Sequence, residues 1–244
     1  LRSCGEPPPR ALVVSRDDLV GGDDSLVTAL RARGVDVTAD ASPGYIGMMR
    51  DPHQTAVPDA VFSAITAWLV DAAPETGLAP PALPPPEAVT TMTSAAGAPV
   101  LEHALCFGPE GGQFAIVTEP THDTRKRREA IVVMNAGAVH RIGPNRMWAR
   151  MARDWAAAGY VVMRFDAPGL GDSRPRPGRD ENLTYEVDPV PYIEDALAVL
   201  RERKKDRFVA LGLCSGAFAA FHAALRAQGM SRVVLVNPQT FHWK

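Results

Sequence analysis

The sequence predicts an α/β fold in which a mostly parallel sheet is covered by helices on both faces. Two observations support this fold class. Short apolar runs alternate with segments of helical spacing along most of the chain. Several of these runs, such as 130–134 and 207–213, are apolar at consecutive positions rather than at every second one. This pattern is typical of strands that are buried on both faces.

Composition limits both the size of the fold and its partners. The 244 residues suit one large domain or two small ones, and 46% hydrophobic residues are enough for a packed core. A net charge of -2 gives no reason to expect nucleic acid or an anionic membrane as a partner. The spacing of Cys4, Cys106 and Cys214 fits neither a disulfide framework nor a zinc site. We therefore expect a cytoplasmic protein with no membrane span, no metal and no cofactor.

The first part of the chain, residues 1–71, has the pattern strand, helix, strand, loop, helix. The predicted strands are 11–15 and 35–39, and the predicted helices are 23–33 and 59–70. Gly34 is suited to end the first helix and Pro58 to begin the second. Residues 72–99 are rich in proline and alanine and lack a hydrophobic period, so we predict a linker there.

The remaining residues, 100–244, alternate strands with helices. The first two strands are expected to form an antiparallel pair that turns at 108–112. The predicted strands are 101–107, 113–119, 130–134, 160–166, 207–213 and 232–237, and the predicted helices are 145–158, 189–203 and 215–228. Each helix connects two apolar strands, as expected for a parallel sheet.

The strongest chemical signal is the run Gly212-Leu213-Cys214-Ser215-Gly216, between an apolar strand and an apolar helix. It has the form of a nucleophile elbow, G-x-nucleophile-x-G, with cysteine in the usual place of serine. The glycines are needed because side chains there would collide where strand and helix almost touch. The start of the helix favours a thiolate and an oxyanion. We predict Cys214 as the nucleophile, since Ser215 would break the glycine spacing; a structural cysteine in a turn is the alternative.

Around this motif the chain resembles the α/β-hydrolase family. Residues 166–173 (DAPGLGDS) are similar to the D-x-x-G-x-G-x-S turn after the family's fourth strand, and 135–141 (NAGAVHR) occupy the place of its oxyanion loop. The resemblance implies that the Ser215 and Ala138 N–H groups hold the oxyanion. The loop and the elbow resemble those of small hydrolases associated with bacterial exopolysaccharide and exosortase systems.

The resemblance extends to residues 11–71, which look like the family's last two strands and helices. It nominates Asp18, in the turn VVSRDD, as the acid and His53, in the loop PHQTAVP, as the base, with Asp17 as the second choice of acid. The matching segments stand in permuted order, last quarter first. We expect a circular permutant or a piece of a tandem pair of hydrolase domains, the second being favoured.

The resemblance also implies an architecture and a function. The two segments would together supply eight strands to one α/β-hydrolase sheet without a cap domain. The predicted function is hydrolysis of a small-molecule ester or thioester through a Cys214–His53–Asp18 triad and an acyl-thioester intermediate. Acyl transfer by the same cysteine and a non-catalytic binding or scaffold domain are the alternatives. The remainder of a tandem hydrolase protein is a further expected partner.

Overall fold

A computed structural model describes residues 6–19, 21–51, 54–72, 88–122 and 129–238. The chain divides into two compact units, Leu1–Leu83 and Pro84–Lys244. The division falls inside the proline-rich stretch at 72–99, of which residues 73–87 lie outside the described part. Each unit has its own hydrophobic core.

The first unit is a small α/β structure. Its elements are β1 (Arg10–Val14), α1 (Asp24–Arg31), β2 (Asp36–Asp40), α2 (Tyr45–Met48) and α3 (Asp59–Ala72). β1 and β2 run parallel, with Leu12 opposite Thr38. Val27 of α1 packs with Val35 and Val37 to form a small buried core. The order of strands and longer helices is the predicted one, and the structure adds the single turn α2.

The described residues of the second unit form a seven-stranded mixed sheet with three α-helices. Its elements are β3 (Val89–Thr93), β4 (Pro99–Phe107), β5 (Gln113–Pro120), β6 (Glu129–Val133), α4 (Met147–Ala157), β7 (Val161–Phe165), α5 (Val190–Glu202), β8 (Arg207–Leu213), α6 (Ser215–Arg226) and β9 (Met230–Val236). The strand order is β3-β4-β5-β7-β6-β8-β9. The neighbouring pairs β3–β4, β4–β5 and β5–β7 are antiparallel. The pairs β7–β6, β6–β8 and β8–β9 are parallel.

Helices cover both faces of this sheet, as predicted. Because side chains alternate along a strand, β6 sends Ala130 and Val132 to one face and Ile131 and Val133 to the other. The first face packs against α5 and α6, and the second packs against α4, whose Trp148 is buried. The consecutive apolar residues of β6 are explained by this two-sided burial.

Two expectations from the sequence need correction. Among the described residues, β1 and β2 pair only with each other, so the strands form sheets of two and seven rather than one sheet of eight. In addition, Val89–Thr93 of the predicted linker is a strand, β3, which pairs with β4 at the sheet edge. The sequence VTTMT escaped detection because an exposed edge strand carries little apolar patterning.

Candidate functional site

Cys214 lies at a sharp turn between β8 and α6. Its backbone angles are φ 56° and ψ -118°, a conformation that residues other than glycine rarely adopt. A Cβ atom added to Gly212 would lie 1.9 Å from the carbonyl oxygen of Gly216, and one added to Gly216 would lie 2.2 Å from that of Asn135. The first distance confirms the predicted reason for Gly212, the close approach of strand and helix. Gly216 is required for a different reason, because it packs against the loop after β6. Cys214 itself is a half-buried free thiol.

The thiol lies at the N-terminus of α6, where backbone N–H groups are available. The carbonyl oxygen of Cys214 accepts hydrogen bonds from the N–H groups of Ala217 at 3.0 Å and Phe218 at 3.3 Å. The N–H groups of Ser215 and Gly216 have no backbone acceptor in the described part of the chain, as expected for the first turn of a helix. Together with the helix dipole, these N–H groups favour negative charge beside Cys214.

The loop after β6 is attached directly to the start of α6. The N–H of Gly137 donates a hydrogen bond to Ser215 Oγ at 2.8 Å. The N–H of Val139 donates to the carbonyl oxygen of Ala136 at 3.2 Å. The intervening N–H of Ala138 donates to no other described residue. The structure thus brings the loop that carries Ala138 to the helix start that carries Ser215, beside Cys214.

A buried carboxylate, Asp166 at the end of β7, fixes the shape of this loop. Asp166 is fully buried and accepts hydrogen bonds from Asn135 Nδ2 at 3.1 Å and from the backbone N–H of Arg141 at 2.6 Å. Arg141 Nη1 pairs with its second oxygen at 2.5 Å. Asn135 Oδ1 in turn accepts a hydrogen bond from the N–H of Ala167 at 2.7 Å. The loop after β6 and the turn after β7 are therefore locked together.

This network explains the glycine turn at 166–173. A Cβ atom on Gly171 would lie 2.5 Å from Asp166 Oδ2, so a side chain at that position would displace the buried carboxylate. Ser173 Oγ donates a hydrogen bond to the carbonyl oxygen of Asp166 at 2.6 Å. The sequence motif was recognised as a whole, but its role in holding Arg141 was not predicted.

Polar atoms of His140, Asp166 and Asp172 lie within 4.8 Å of one another, a spacing that could hold a metal ion. The Arg141 guanidinium contacts both carboxylates, Asp166 at 2.5 Å and Asp172 at 2.6 Å. Arg141 therefore supplies the positive charge that a cation would bring. We assign the cluster to the support of the loop after β6.

Tyr185 is a residue of the site that the sequence analysis missed. Its hydroxyl oxygen lies 3.8 Å from Cys214 Sγ. Its ring packs edge-on against Phe218 of α6, with ring centroids 5.7 Å apart. Partial burial, which leaves 40% of the residue exposed, and the contact with Cys214 raise the pKa of Tyr185 above its ordinary value. Because Tyr185 lies in an irregular segment between β7 and α5, no periodic pattern pointed to it.

A small cavity lies beside the elbow. It is lined by Ser215 and Gly216, by Asn135, and by side chains from the segment before α5 that include Leu183 and Glu186. Its volume of about 20 Å³ is enough for roughly one water molecule. An acyl chain does not fit in this space, so the cavity does not indicate the size of a substrate.

The predicted acid and base belong to the first unit. Asp18 is exposed, and its two carboxylate oxygens accept hydrogen bonds from Arg16 at 2.8 Å and 2.6 Å. This contact lowers the pKa of Asp18. Asp17, the second choice, accepts a hydrogen bond from the N–H of Gly44 at 2.8 Å. His53 lies outside the described residues.

Comparison with known families agrees with the geometry of the elbow. Residues 131–243 match the sequence profile of the α/β hydrolase family. The second unit has an α/β-hydrolase fold. The matched stretch begins in β6 and includes the elbow. No curated protein matches the chain.

Solved structures similar to the chain include three from different organisms. A hydrolase from Pseudomonas aeruginosa shares 20% identity over 64% of this chain and 48% of that chain, with a TM-score of 0.40. An α/β hydrolase from Penicillium sp. sh18 shares 16% identity over 63% of this chain and 46% of that chain, with a TM-score of 0.42. An esterase from Pyrococcus furiosus shares 14% identity over 62% of this chain and 51% of that chain, with a TM-score of 0.41. The chain spans about half the length of these structures.

None of the helices in the described ranges combines the length and the apolar character that crossing a bilayer requires.

Proposed function

We propose that the protein is an acyl hydrolase that cleaves carboxylic esters or thioesters with Cys214 as nucleophile. The observation that carries the proposal is the backbone of Cys214, which has φ 56° at the start of a buried helix. Strain of this kind costs on the order of 1–3 kcal/mol and is concentrated at active sites. A cysteine with only a packing role has no need of such a conformation.

In the proposed mechanism, His53 takes the proton of the Cys214 thiol, and Sγ attacks the carbonyl carbon of the substrate. The N–H groups of Ser215 and Ala138 stabilise the oxyanion. The alcohol or thiol leaves with the proton held by His53. His53 then removes a proton from water, which attacks the acyl-thioester, and the acid is released from the regenerated thiol.

Asp18 is proposed to orient the imidazole of His53 and to stabilise its cation. To do so, the Asp18 carboxylate has to accept a hydrogen bond from His53 as well as those that Arg16 donates to both of its oxygens. Exchange of each acid for its amide identifies the acid, since Asp18→Asn is expected to lower turnover far more than Asp17→Asn. Equal losses in the two variants would remove Asp18 from the triad.

The central test is turnover of p-nitrophenyl esters and acyl-thioesters by Cys214→Ala. We expect turnover to fall by at least about 10²-fold. The matched control is Cys106→Ala, which removes the exposed free thiol of β4 and leaves turnover unchanged. Full activity in Cys214→Ala would overturn the proposal.

Two further experimental outcomes would favour acyl transfer or a non-catalytic binding domain over hydrolysis. An acylated amine, thiol or alcohol formed when an acceptor is added would identify an acyltransferase that uses the same cysteine. A Cys214 that fails to react with iodoacetamide near neutral pH, in a chain without turnover, would identify a non-catalytic binding domain.

The proposal also requires His53 to reach Cys214, in one chain or between two copies. We expect a His53→Cys variant, with Cys4 and Cys106 replaced by serine, to form a disulfide with Cys214. The bond requires Cα atoms about 4.4–6.8 Å apart. Oxidation at decreasing protein concentration, read by mass spectrometry, separates a bond within one chain from one between copies.

The free thiols agree with the proposed cytoplasmic location. The two described cysteines, Cys106 and Cys214, are both unpaired. A free catalytic thiol is best preserved in a reducing compartment. We also propose that the acid and base loops precede the elbow because the chain is a circular permutant or a piece of a tandem hydrolase.

A further inference from the structure

An irregular segment connects the turn after β7 to α5 and passes over the start of α6. We call residues 174–189 the strap. Two contacts fasten it to α6: Asp188 forms an ion pair with Arg226, and the ring of Tyr185 packs against Phe218. Phe218 lies in the first turn of α6, beside the elbow, whereas Arg226 is the last residue of that helix. The Phe218 contact therefore holds the Tyr185 hydroxyl near Cys214 Sγ, 3.8 Å away, and the ion pair attaches the strap farther along α6.

We propose that the Tyr185 hydroxyl donates a hydrogen bond to the Cys214 thiolate and stabilises this reactive form before substrate binds. The inference rests on the proposed function, in which Cys214 is the nucleophile. It adds a residue that touches the reacting sulfur and that belongs to the same unit as the elbow.

The chemistry of the pair requires tyrosine to be the donor. The raised pKa of Tyr185 keeps its hydroxyl protonated when the thiol has ionised. A hydrogen bond to an ionised acceptor is roughly twice as strong as one between neutral groups. The edge-on contact with Phe218 limits rotation of the ring and reduces the entropy lost when the bond forms.

This hydrogen bond would change what His53 has to do. Tyr185 and the N–H groups at the start of α6 would stabilise the thiolate without help from the first unit. His53 would then be needed mainly for proton transfer during turnover. Removal of the histidine should abolish turnover and leave the reactivity of the free thiol nearly unchanged.

The effect of the Tyr185 hydroxyl on Cys214 has to be distinguished from the effects of other ionisable groups near Tyr185. On the strap, Glu186 lies 3.5 Å from Arg179, and Asp188 pairs with Arg226. On α6, burial and the positive charge of Arg226 lower the pKa of His222. The lowered pKa of His222 moves its titration further below the ordinary pKa of a thiol.

The test measures the rate at which iodoacetamide alkylates Cys214 in the full chain between about pH 5 and 10. Cys4 and Cys106 are replaced by serine, so that intact mass reports one thiol. In Tyr185→Phe we expect the pH of half-maximal rate to rise by about one unit, with a roughly tenfold slower reaction below it. The control is Val187→Ala, a strap residue that is 80% exposed, and its profile should match the parent.

A Tyr185→Phe profile equal to that of the parent would overturn the inference. Faster alkylation of Tyr185→Phe would also overturn it, because the hydroxyl would then be covering the thiol rather than stabilising the thiolate. The result is separable from the proposed function. A shifted profile with full esterase activity in Cys214→Ala would leave the hydrogen bond established and reject only Cys214 as the nucleophile.

Discussion

Replacing Gly212 by alanine tests whether close contact between strand and helix creates the elbow. The new Cβ atom would lie 1.9 Å from the carbonyl oxygen of Gly216, although such atoms essentially never approach within 3.0 Å. Strand β8 and helix α6 would have to separate by about 1.1 Å, the difference between these two distances. Overpacking in a core typically costs about 1–3 kcal/mol, and a contact between two backbones cannot be relieved by a rotamer change. We therefore expect a loss of about 3 kcal/mol or more.

The assay is urea unfolding of the full chain, followed by tryptophan fluorescence. Trp148 and Trp155 lie on α4 of the second unit, so Trp68 and Trp243 are replaced by phenylalanine to confine the signal to α4. The control is Gly97→Ala, in which an added Cβ has no atom within 4 Å. Because Gly97 has φ +79° and Gly212 is not in the left-handed region, the control carries a backbone cost that Gly212→Ala does not. That cost is expected to be about 1–2 kcal/mol. Equal midpoints for Gly212→Ala and Gly97→Ala would refute the steric explanation of the elbow.

Two further predictions concern buried charges. Burial raises the pKa of Glu102, but Arg153 and Arg164 outweigh it and hold that pKa below its ordinary value. This stabilisation is complete above the unfolded pKa of Glu102 and is lost as pH falls through the folded pKa, which is lower. Glu102→Gln should therefore cost about 2–4 kcal/mol near neutral pH, and the cost should shrink only once the pH drops below the ordinary glutamate pKa. A difference in urea midpoints that does not change with pH would contradict this. Asp166→Ala should lower the free energy of unfolding by about 3 kcal/mol in the same assay, because it removes the buried partner of Arg141. A loss as small as that expected for an exposed ion pair would contradict this prediction.

The sequence was sufficient to predict the parts of the fold that depend on local pattern. Strands β6, β7 and β8 each contain a run of consecutive apolar residues, and each is followed in the chain by a helix. Burial on both faces produces that pattern directly, so the alternation of elements was confirmed. β3 was missed because its exposed side chains carry little trace of their environment.

The single eight-stranded sheet was wrong for a different reason. It was inferred by assigning β1 and β2 to places in the family's sheet, rather than from a property of these strands. Their apolar residues are satisfied locally, because Val37 of β2 packs with Val27 of α1 inside the first unit. Short strands that bury their side chains against their own helix leave no sequence signal that tells which sheet they extend.

The site shows the same division between local and distant constraints. Gly212 could be explained from five consecutive residues, because the collision it avoids is between the ends of one turn. Gly216 could not, because the collision it avoids is with Asn135 of the loop after β6. The partners of Cys214 and of the loop after β6 depend instead on how irregular segments cross the sheet. Tyr185 is separated from Cys214 by 29 residues, and Arg141 from Asp166 by 25. Since tyrosine and arginine are common in surface loops, only the packed structure distinguishes these two from the others. The chemistry of the elbow is therefore set by residues whose local sequence looks ordinary, and Tyr185→Phe is the more informative substitution because it leaves the predicted motif intact.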